Sequence, residues 1–285
     1  MEKISKTIAS QARLHYVYNR YVFFANKYSQ RPTMTNHDFP IITLTPEAAT
    51  QYGLGCLKNP KHPGFGAKLN WYREMTAKGL TIKLALDDDK SVGFIEYVPG
   101  EHTWRTVAAE GYMVIHCVWV YPKVYQKQGI GAGLVRACMD DAREQELSGV
   151  AVVTSEGPWI AGKSLFLPLG FEPVDSRDRF ELLVHKFKDG RNPEFIRDAD
   201  RDYTGLHVLI SDQCPYTHKF INDIQGYCAE TGLEYTLSKI GTAEQAQHMP
   251  SAFGTFAIVY NNKVVADHPV SLTRFKNIVH KELQL

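Results

Sequence analysis

The sequence predicts a mixed α/β protein of the α+β kind with two domains. Strand and helix patterns alternate from residue 39 onward, and buried strands such as "YMVIHCVWV" stand beside amphipathic helices. A charged segment at 188–205, poor in apolar residues, interrupts this alternation. A chain of 285 residues is long enough for two domains that each bury a core.

Charge and cysteine content limit the classes of function. The 32 Lys and Arg residues nearly balance 31 Asp and Glu residues, so the net charge of +1 favours neither nucleic acid nor an anionic membrane as partner. The five cysteines form no CxxC pair and no zinc-ligand spacing, which predicts reduced thiols and no metal. Because the chain has no cleavable apolar leader and no run of about 18 apolar residues, we expect a soluble, cytoplasmic protein.

Four segments are predicted. A helical extension covers residues 1–38, an α/β domain covers 39–188, a linker covers 189–204, and a smaller α/β domain covers 205–285. Apolar and aromatic residues of the extension recur at helical spacing. This helix could pack on the body or on a second copy of the chain, so a homodimer stays open.

The elements of the larger domain follow from periodicity. "AKLNWYREMTAKGL" predicts a helix, and "TIKLALDDDKSVGFIEYV" predicts a hairpin with its turn at the aspartates. The strand "YMVIHCVWV" precedes a helix over 130–147, which has one apolar stripe, and "GVAVVTS" is a further short strand.

The smaller domain reads as βαβ followed by ββα. "LHVLI" and "LEYTLSKI" are strands on either side of a helix that ends at Gly232, and Asn261 and Asn262 form the turn of a hairpin before the last helix. One face of the first helix is predicted to be buried, through Phe220, Ile221, Ile224, Tyr227 and Cys228.

A glycine turn between a strand and a helix is the main chemical signal. Gly129 and Gly131 remove side chains where a backbone must approach something closely, and the next helix presents unpaired N–H groups at its positive end. This combination favours a phosphate site, although such turns also serve only to pack a helix on a sheet. The segment lacks the Gly-Lys-Ser/Thr ending of a P-loop and the third glycine of a dinucleotide fingerprint.

The motif "Q126-K-Q-G129-I-G131" resembles the acetyl-CoA signature Q/R-x-x-G-x-G/A of the GNAT superfamily of N-acetyltransferases. "SLFLPLGF", which ends at Phe171, is similar to the later L-G-F element of that superfamily. The resemblance departs from the family pattern by one extra residue between Pro122 and Gln126, before the signature. The resemblance covers roughly residues 39–188 and implies a GNAT fold with acetyl-CoA as co-substrate. It also implies that cofactor-binding residues hold the pyrophosphate by backbone N–H groups and pair with the pantetheine arm. The pyrophosphate residues are Gln126, Lys127, Gln128, Gly129, Ile130 and Gly131, and the strand residues are Val118, Trp119 and Val120.

Acetyl transfer to an amine needs a proton acceptor and a proton donor. Glu96 and His116, on neighbouring strands, are the candidate bases, with a water relay as the alternative. Cys117 should point to the opposite face of the strand from His116 because side chains alternate. In many members of the superfamily a Tyr at the position of Phe166 serves as the general acid. Ser164 and Tyr125 are the substitutes considered for this role.

Cys214 lies between a strand and a helix in the smaller domain, where thioredoxin-like folds carry their redox cysteine. A helix N-terminus should acidify its thiol, which makes Cys214 a candidate catalytic residue. Thr217 replaces the second cysteine of a dithiol motif, and Gly254 stands where such folds place a cis-proline. The order of the two domains resembles the YoaP-type group of GNAT proteins, with a thioredoxin-like domain at the C-terminus.

These observations predict an acetyl-CoA-dependent N-acetyltransferase that acts on a small-molecule amine. Nucleic acid and membrane are not expected as partners. One alternative is a thiol-redox or thiol-ligand binding protein that works through Cys214, with the first domain as an acyl-CoA binding module. Another is an inactive acetyltransferase fold that only binds, suggested by Phe166. The sequence does not identify the acceptor.

Overall fold

The computed structural model describes residues 39–197 and 202–284, so the extension predicted at 1–38 lies outside the described residues. The strands are β1 (Ile41–Thr43), β2 (Thr81–Asp87), β3 (Lys90–Pro99), β4 (Val107–Ala108), β5 (Tyr112–Val120), β6 (Gly149–Thr154), β7 (Glu172–Arg177), β8 (Phe180–Lys186), β9 (Glu194–Phe195), β10 (Leu206–Ser211), β11 (Thr236–Ile240), β12 (Phe256–Tyr260) and β13 (Lys263–Ala266). The α-helices are α1 (Ala49–Tyr52), α2 (Phe65–Thr76), α3 (Ile130–Glu144), α4 (Tyr216–Thr231), α5 (Ala243–Gln247) and α6 (Leu272–Asn277), and a π-helical turn at Ile278–Leu283 continues α6. None of the helices in the described residues is long and apolar enough to cross a bilayer.

The larger sheet has seven strands in the order β1-β2-β3-β5-β6-β8-β7. Its neighbours are antiparallel except for β5 and β6, so the predicted mixed central sheet is confirmed. The predicted hairpin is β2–β3, closed by the pair Asp87 and Lys90. Helix α3 packs on this sheet through a stripe that includes Ile130, Leu134 and Cys138, as its periodicity predicts.

Two irregularities in β5 shape the centre of this sheet. Glu96 of β3 pairs with Cys117, and the next residue, Tyr97, pairs with Ile115, so His116 is the extra residue of a β-bulge. The expectation that Cys117 and His116 face opposite sides is therefore wrong, because a bulge breaks the alternation of side chains, and both residues line the same cavity. Strand β5 pairs with β6 only as far as Ile115 and Val152, so the two parallel strands separate beyond the bulge.

The smaller sheet has four strands in the order β11-β10-β12-β13. Strands β10 and β11 are parallel and joined through α4, while β12 and β13 form an antiparallel hairpin with Asn261 and Asn262 in its turn, as predicted. The predicted apolar face of α4 is buried in full. Gly232 ends α4 with a φ of 69°, a left-handed conformation that glycine adopts without strain.

Residues from Phe39 onward belong to one compact unit, and the two sheets share apolar cores. One core joins Val114 and Phe180 of the larger sheet to Val208 and Phe256 of the smaller one. Within the predicted linker, β9 pairs with β4, and Arg197 forms an ion pair with Asp175, in which Nη2 and Oδ1 are 2.7 Å apart.

Candidate active site

A cavity of about 910 Å³ opens where β5 and β6 separate. The N-terminus of α3 and the preceding loop line one side, and the turn at 213–216, which follows β10, lines another. Ten of the predicted site residues line this cavity. They are Glu96, His116, Val118, Trp119, Val120, Gln126, Lys127, Gly129, Gly131 and Cys214.

Gln128 and Ile130 are the two predicted cofactor-binding residues that do not line the cavity. The Gln128 amide donates to the carbonyl of Val124 at 2.7 Å, and Ile130 is buried against the sheet. Their backbone N–H groups remain part of the loop and of the first turn of α3.

The N-terminus of α3 is not capped by a side chain. Gly129 is the N-cap residue, with a φ of 82°, and a methyl group added there would meet no protein atom within 4 Å. Within the described part of the chain, the backbone N–H groups of residues 127–132 donate no hydrogen bond. Gln126 differs, because its N–H donates to the carbonyl of Lys123 at 3.0 Å. Unpaired N–H groups at the positive end of a helix fit the pyrophosphate of a coenzyme A ester.

The strand residues beside this loop offer a second type of contact. Strand β5 keeps its partner β3 as far as Val120, but it has no β6 partner after Ile115. The Gln126 side chain donates to the carbonyl of Val120 at 3.0 Å and ties the loop to the strand end. An extended amide-containing ligand can pair with backbone exposed in this way, as an added strand does.

A buried polar cluster surrounds Glu96 at the bulge. Oε2 of Glu96 accepts a hydrogen bond of 2.5 Å from Lys68, and Oε1 accepts from the Gln213 amide at 2.8 Å. Nδ1 of His116 lies 3.2 Å from the same Oε1. Burial alone would raise the pKa of Glu96, but the Lys68 ammonium and the His116 hydrogen bond lower it to about 2. Glu96 is therefore a carboxylate at neutral pH.

His116 is neutral, and its tautomer follows from its partners. Burial, together with the positive charges of Arg105 and Lys68, lowers the pKa of His116 to about 4 against the opposing effect of Glu96. Nε2 accepts a hydrogen bond of 3.0 Å from the backbone N–H of Trp104, so the ring proton lies on Nδ1 and is donated to Glu96. Nε2, the nitrogen that could accept a proton, is already occupied by the Trp104 N–H. The geometry therefore favours a role for His116 in orienting Glu96 over a role as general base.

Cys214 lies at the wall of the cavity and is buried. The expectation of an acidified thiol is wrong: burial raises the pKa of Cys214, although hydrogen bonds from the N–H groups of Tyr216 and Thr217 act in the other direction. Cys56 and Cys117 line the same cavity, and burial raises their pKa values as well. No group of three or more His, Cys, Asp or Glu residues in the described ranges is arranged to hold a metal ion.

The candidate proton donors occupy different positions. Phe166 is fully buried and packs edge-on against Phe171, so it contributes nothing polar. Ser164 and Tyr125 line the cavity, and the hydroxyl of Tyr125 donates to Asp87 at 2.5 Å. Tyr216 also lines the cavity, and its hydroxyl donates to the carbonyl of Cys56 at 3.0 Å.

Several site residues were not predicted. Lys68 and Arg105 line the cavity but belong to no motif, and Gln213 and Tyr216 flank Cys214 in the segment "QCPYT" but had no predicted role. Lys68 alone had a detectable signal, because it lies on the buried stripe of α2 between Phe65 and Trp71, where a charged residue is unusual. The others reach the site only through the packing of the two sheets.

Two family models match this chain. The model described as "Acetyltransferase (GNAT) family" matches residues 48–158, which contain the glycine turn, the bulge and Glu96. The model described as "YoaP-like" matches residues 236–277, in the smaller sheet and α6. The chain is therefore similar to the GNAT acetyltransferase family over residues 48–158 and to the YoaP-like family over residues 236–277.

A curated relative has the same combination in its name. The "Uncharacterized N-acetyltransferase YoaP" of Bacillus subtilis (strain 168) is 23% identical over 220 residues, which cover 75% of this chain and 86% of the relative.

Solved structures are similar over somewhat more than half of this chain. A GNAT family acetyltransferase from Brucella melitensis in complex with acetyl-CoA is 18% identical, covers 55% of this chain and 93% of its own, and has a TM-score of 0.36. The GNAT family N-acetyltransferase YhbS from Escherichia coli in complex with CoA is 14% identical, covers 61% and 97%, and has a TM-score of 0.37.

Proposed function

We propose that this protein transfers an acetyl group from acetyl-CoA to the amine of a small molecule. The observation that carries this proposal is a single cavity that joins the uncapped N-terminus of α3 to the buried cluster around Glu96. Acetyl-CoA supplies the acetyl group as an activated thioester. The names of the relatives, which include an N-acetyltransferase and complexes with acetyl-CoA or CoA, support the same reaction.

The loop and β5 bind the donor. Backbone N–H groups of residues 127–131 hold the pyrophosphate, and Lys127 adds a positive charge at the cavity wall. The backbone of Val118–Val120 pairs with the pantetheine arm in the opening between β5 and β6. This arrangement directs the thioester towards the bulge at His116.

Glu96 and His116 prepare the acceptor. The Glu96 carboxylate accepts a hydrogen bond from the acceptor amine, and His116 holds that carboxylate in place through its Nδ1 proton. Because the pKa of Glu96 is about 2, its carboxylate can orient the amine but is too weak a base to keep the proton that the amine loses. A water relay through the cavity mouth then carries the proton to solvent.

The smaller sheet limits the size of the acceptor. Gln213, Cys214, Pro215 and Tyr216 line the acceptor end, and Gln213 donates directly to Glu96. A cavity walled from both sheets suits a small molecule better than a protein surface. The parallel β10–α4–β11 unit followed by the β12–β13 hairpin supports a thioredoxin-like fold for this part.

The remaining partner predictions belong to this proposal. The near balance of charge supports a cytoplasmic enzyme without nucleic-acid or membrane partners. The homodimer stays a prediction, because the helix that would form it lies outside the described residues. A thiol-redox function through Cys214 is disfavoured by the raised pKa of that thiol.

The test combines binding and turnover. Acetyl-CoA is titrated calorimetrically, and release of free CoA thiol is followed with a panel of small amines. We expect saturable binding and turnover of at least one amine, with both retained in Cys214→Ser. Absence of acetyl-CoA binding would contradict the proposal, and binding without turnover of any amine would favour the binding-module alternative.

Glu96→Gln tests the acceptor side of the site. We expect acetyl-CoA affinity to stay within about threefold while kcat/KM for the amine falls about 100-fold or more. Glu230→Gln, on the exposed face of α4, is the matched control and should change neither quantity. Since Glu96→Gln leaves Lys68 buried without its carboxylate, the double variant Lys68→Met/Glu96→Gln restores the charge balance and controls for folding.

A further inference from the structure

Arg105 is a buried cation without a carboxylate partner at the acceptor end of the cavity. It is 3% exposed and lines the cavity. Nη1 donates to the carbonyl of Phe253 at 2.9 Å, and Nη2 donates to the carbonyl of His116. Nε has no hydrogen-bond partner. Among the described residues, no carboxylate lies within ion-pair distance of this guanidinium.

The acceptor end therefore carries an excess positive charge. Lys68 is neutralised by Glu96, and His116 is uncharged. Burial lowers the pKa of Arg105, but a guanidinium starts from so high a value that it stays charged at neutral pH. Thiolates do not compensate for Arg105, because burial raises the pKa values of Cys117 and Cys214. A buried charge without a counter-ion is costly, so an anionic ligand group would be bound favourably there.

The pyrophosphate cannot supply this anion, because it would bind beyond the C-terminal end of β5. Arg105 contacts β5 at His116, whereas the loop that precedes α3 follows Val120. His116 and Val120 are four residue steps apart along the strand, which corresponds to roughly 13 Å. The anion must therefore come from the acceptor.

His116 contacts both the Arg105 guanidinium and the Glu96 carboxylate, which attract each other from beyond ion-pair distance. Its ring donates to Glu96, and its carbonyl accepts from Arg105. One molecule can contact both groups if it carries an amine and an anionic group only a few bonds apart. Apolar residues lie beside these two groups, because Ile115 precedes His116 in β5 and the Phe253 ring lies 5.1 Å from the Arg105 guanidinium.

We infer that the acceptor is an α-amino acid with an apolar side chain, whose amine meets Glu96 and whose carboxylate is held by Arg105. A planar carboxylate matches the fork of a guanidinium. This inference rests on the proposed function for the statement that the bound amine is acetylated. Recognition of the amino acid itself can be measured without turnover.

The experiment measures binding to the CoA-loaded protein, in which no acetyl group is present to be transferred. The probes are three matched pairs in which each amino acid is compared with its decarboxylated amine. The pairs are phenylalanine with phenethylamine, leucine with isopentylamine, and valine with isobutylamine. In the wild type, we expect at least one amino acid to bind at least 10-fold more tightly than its amine. Equal affinities within every pair, or no binding by any probe, would overturn the inference.

Substitutions then locate the carboxylate contact. Arg105→Met should reduce the preference within the pair to less than about twofold, and Arg105→Lys should retain part of it. Arg177→Met is the matched control, because Arg177 also donates to a backbone carbonyl of the smaller-sheet region, Pro250, at 2.7 Å but does not line the cavity. It should keep the full preference.

The possible failures can be told apart. If Arg105→Met weakens amino acid and amine equally, or leaves the preference intact, Arg105 has a structural or general catalytic role and the inference is wrong. If an amino acid binds through Arg105 but is never acetylated, the inference stands and the proposed function fails. If amines are acetylated without any preference for a carboxylate, the proposed function stands and the inference fails.

Discussion

Glu96 shows how much the role of one residue depends on its neighbours. Donors from three separate segments, Lys68, His116 and Gln213, surround its carboxylate. Burial alone would favour the protonated form, but these donors outweigh it and keep the charge. Glu96 is therefore a charged hydrogen-bond acceptor in the wall of the cavity.

His116 should make stability depend on pH in mildly acidic solution. Its pKa is about 4 in the folded protein and 6.5 in an unfolded chain, so only the unfolded state takes up a proton between these values. The free energy of unfolding should therefore fall as pH decreases from 6.5 to 4, by about 3 kcal/mol from this residue. Glu96, whose folded pKa is about 2, contributes a loss only at lower pH, as pH falls from 4.5 to 2.

Urea denaturation of the wild type and His116→Gln at several pH values measures this contribution. The difference in unfolding free energy between the two proteins should shrink as pH falls through this range. The half-exposed His248 provides the control variant His248→Gln, which should follow the wild type. A difference that does not change with pH would show that His116 is not buried in its neutral form.

At the scale of elements, the N-terminus of α3 is shaped for binding. A helix of 15 residues begins without a side-chain cap, although Ser, Thr, Asp or Asn at that position would stabilise it. The N-cap is a glycine in the left-handed region. Stability is thus lower than it could be, and backbone N–H groups are left for a ligand.

Gly129→Ala tests whether this space serves acetyl-CoA. We expect the dissociation constant for CoA to rise about 10-fold or more, because the methyl group enters the space where a phosphate would approach the backbone. The left-handed φ adds a stability cost of roughly 1–2 kcal/mol. Calorimetric titration with CoA measures the first effect, and denaturation measures the second.

Gly205→Ala is the matched control for this substitution. Gly205 has a φ of 80° and, like Gly129, no protein atom within 4 Å of an added methyl group, but it does not line the cavity. Its stability cost should be similar while CoA affinity is unchanged. If Gly129→Ala and Gly205→Ala bind CoA with equal affinity, the N-terminus of α3 is not part of the donor site.

At the scale of the molecule, the two sheets act as one body. They share apolar cores, and each supplies residues to the cavity. Gly64, just before α2, lies so close to the turn after β10 that a methyl group there would be 2.0 Å from the carbonyl oxygen of Pro215. This contact sets the distance between α2 and the acceptor wall.

Gly64→Ala should push this wall away from α2. Because the clash is with backbone, which cannot rotate aside, we expect a loss of about 1–3 kcal/mol of unfolding free energy and faster labelling of the buried Cys214 by a thiol reagent. Gly66→Ala, two residues later in the same helix and without a neighbour within 4 Å, should be neutral or slightly stabilising. Unchanged labelling in Gly64→Ala would contradict the close contact.

Contiguous features could be predicted. The strand, the glycine turn and α3 follow one another in the chain, so periodicity and the glycines located these elements, while the resemblance of the motif at 126–131 indicated a donor site there. The hairpins β2–β3 and β12–β13 and the buried face of α4 follow from the same local rules. The bulge at His116 could not be predicted, since it depends on how β5 pairs with β3.

The helices, the two hairpins and the glycine turn follow from the amino-acid sequence, because each depends on neighbours within a few residues. The acceptor side of the cavity depends instead on long-range packing. Gln213 donates to Glu96 across 117 residues, and Arg105 joins the carbonyls of His116 and Phe253. The same packing buries Cys214 and raises its pKa instead of lowering it. Contacts between distant segments and the loss of water around them leave no periodic pattern in the chain.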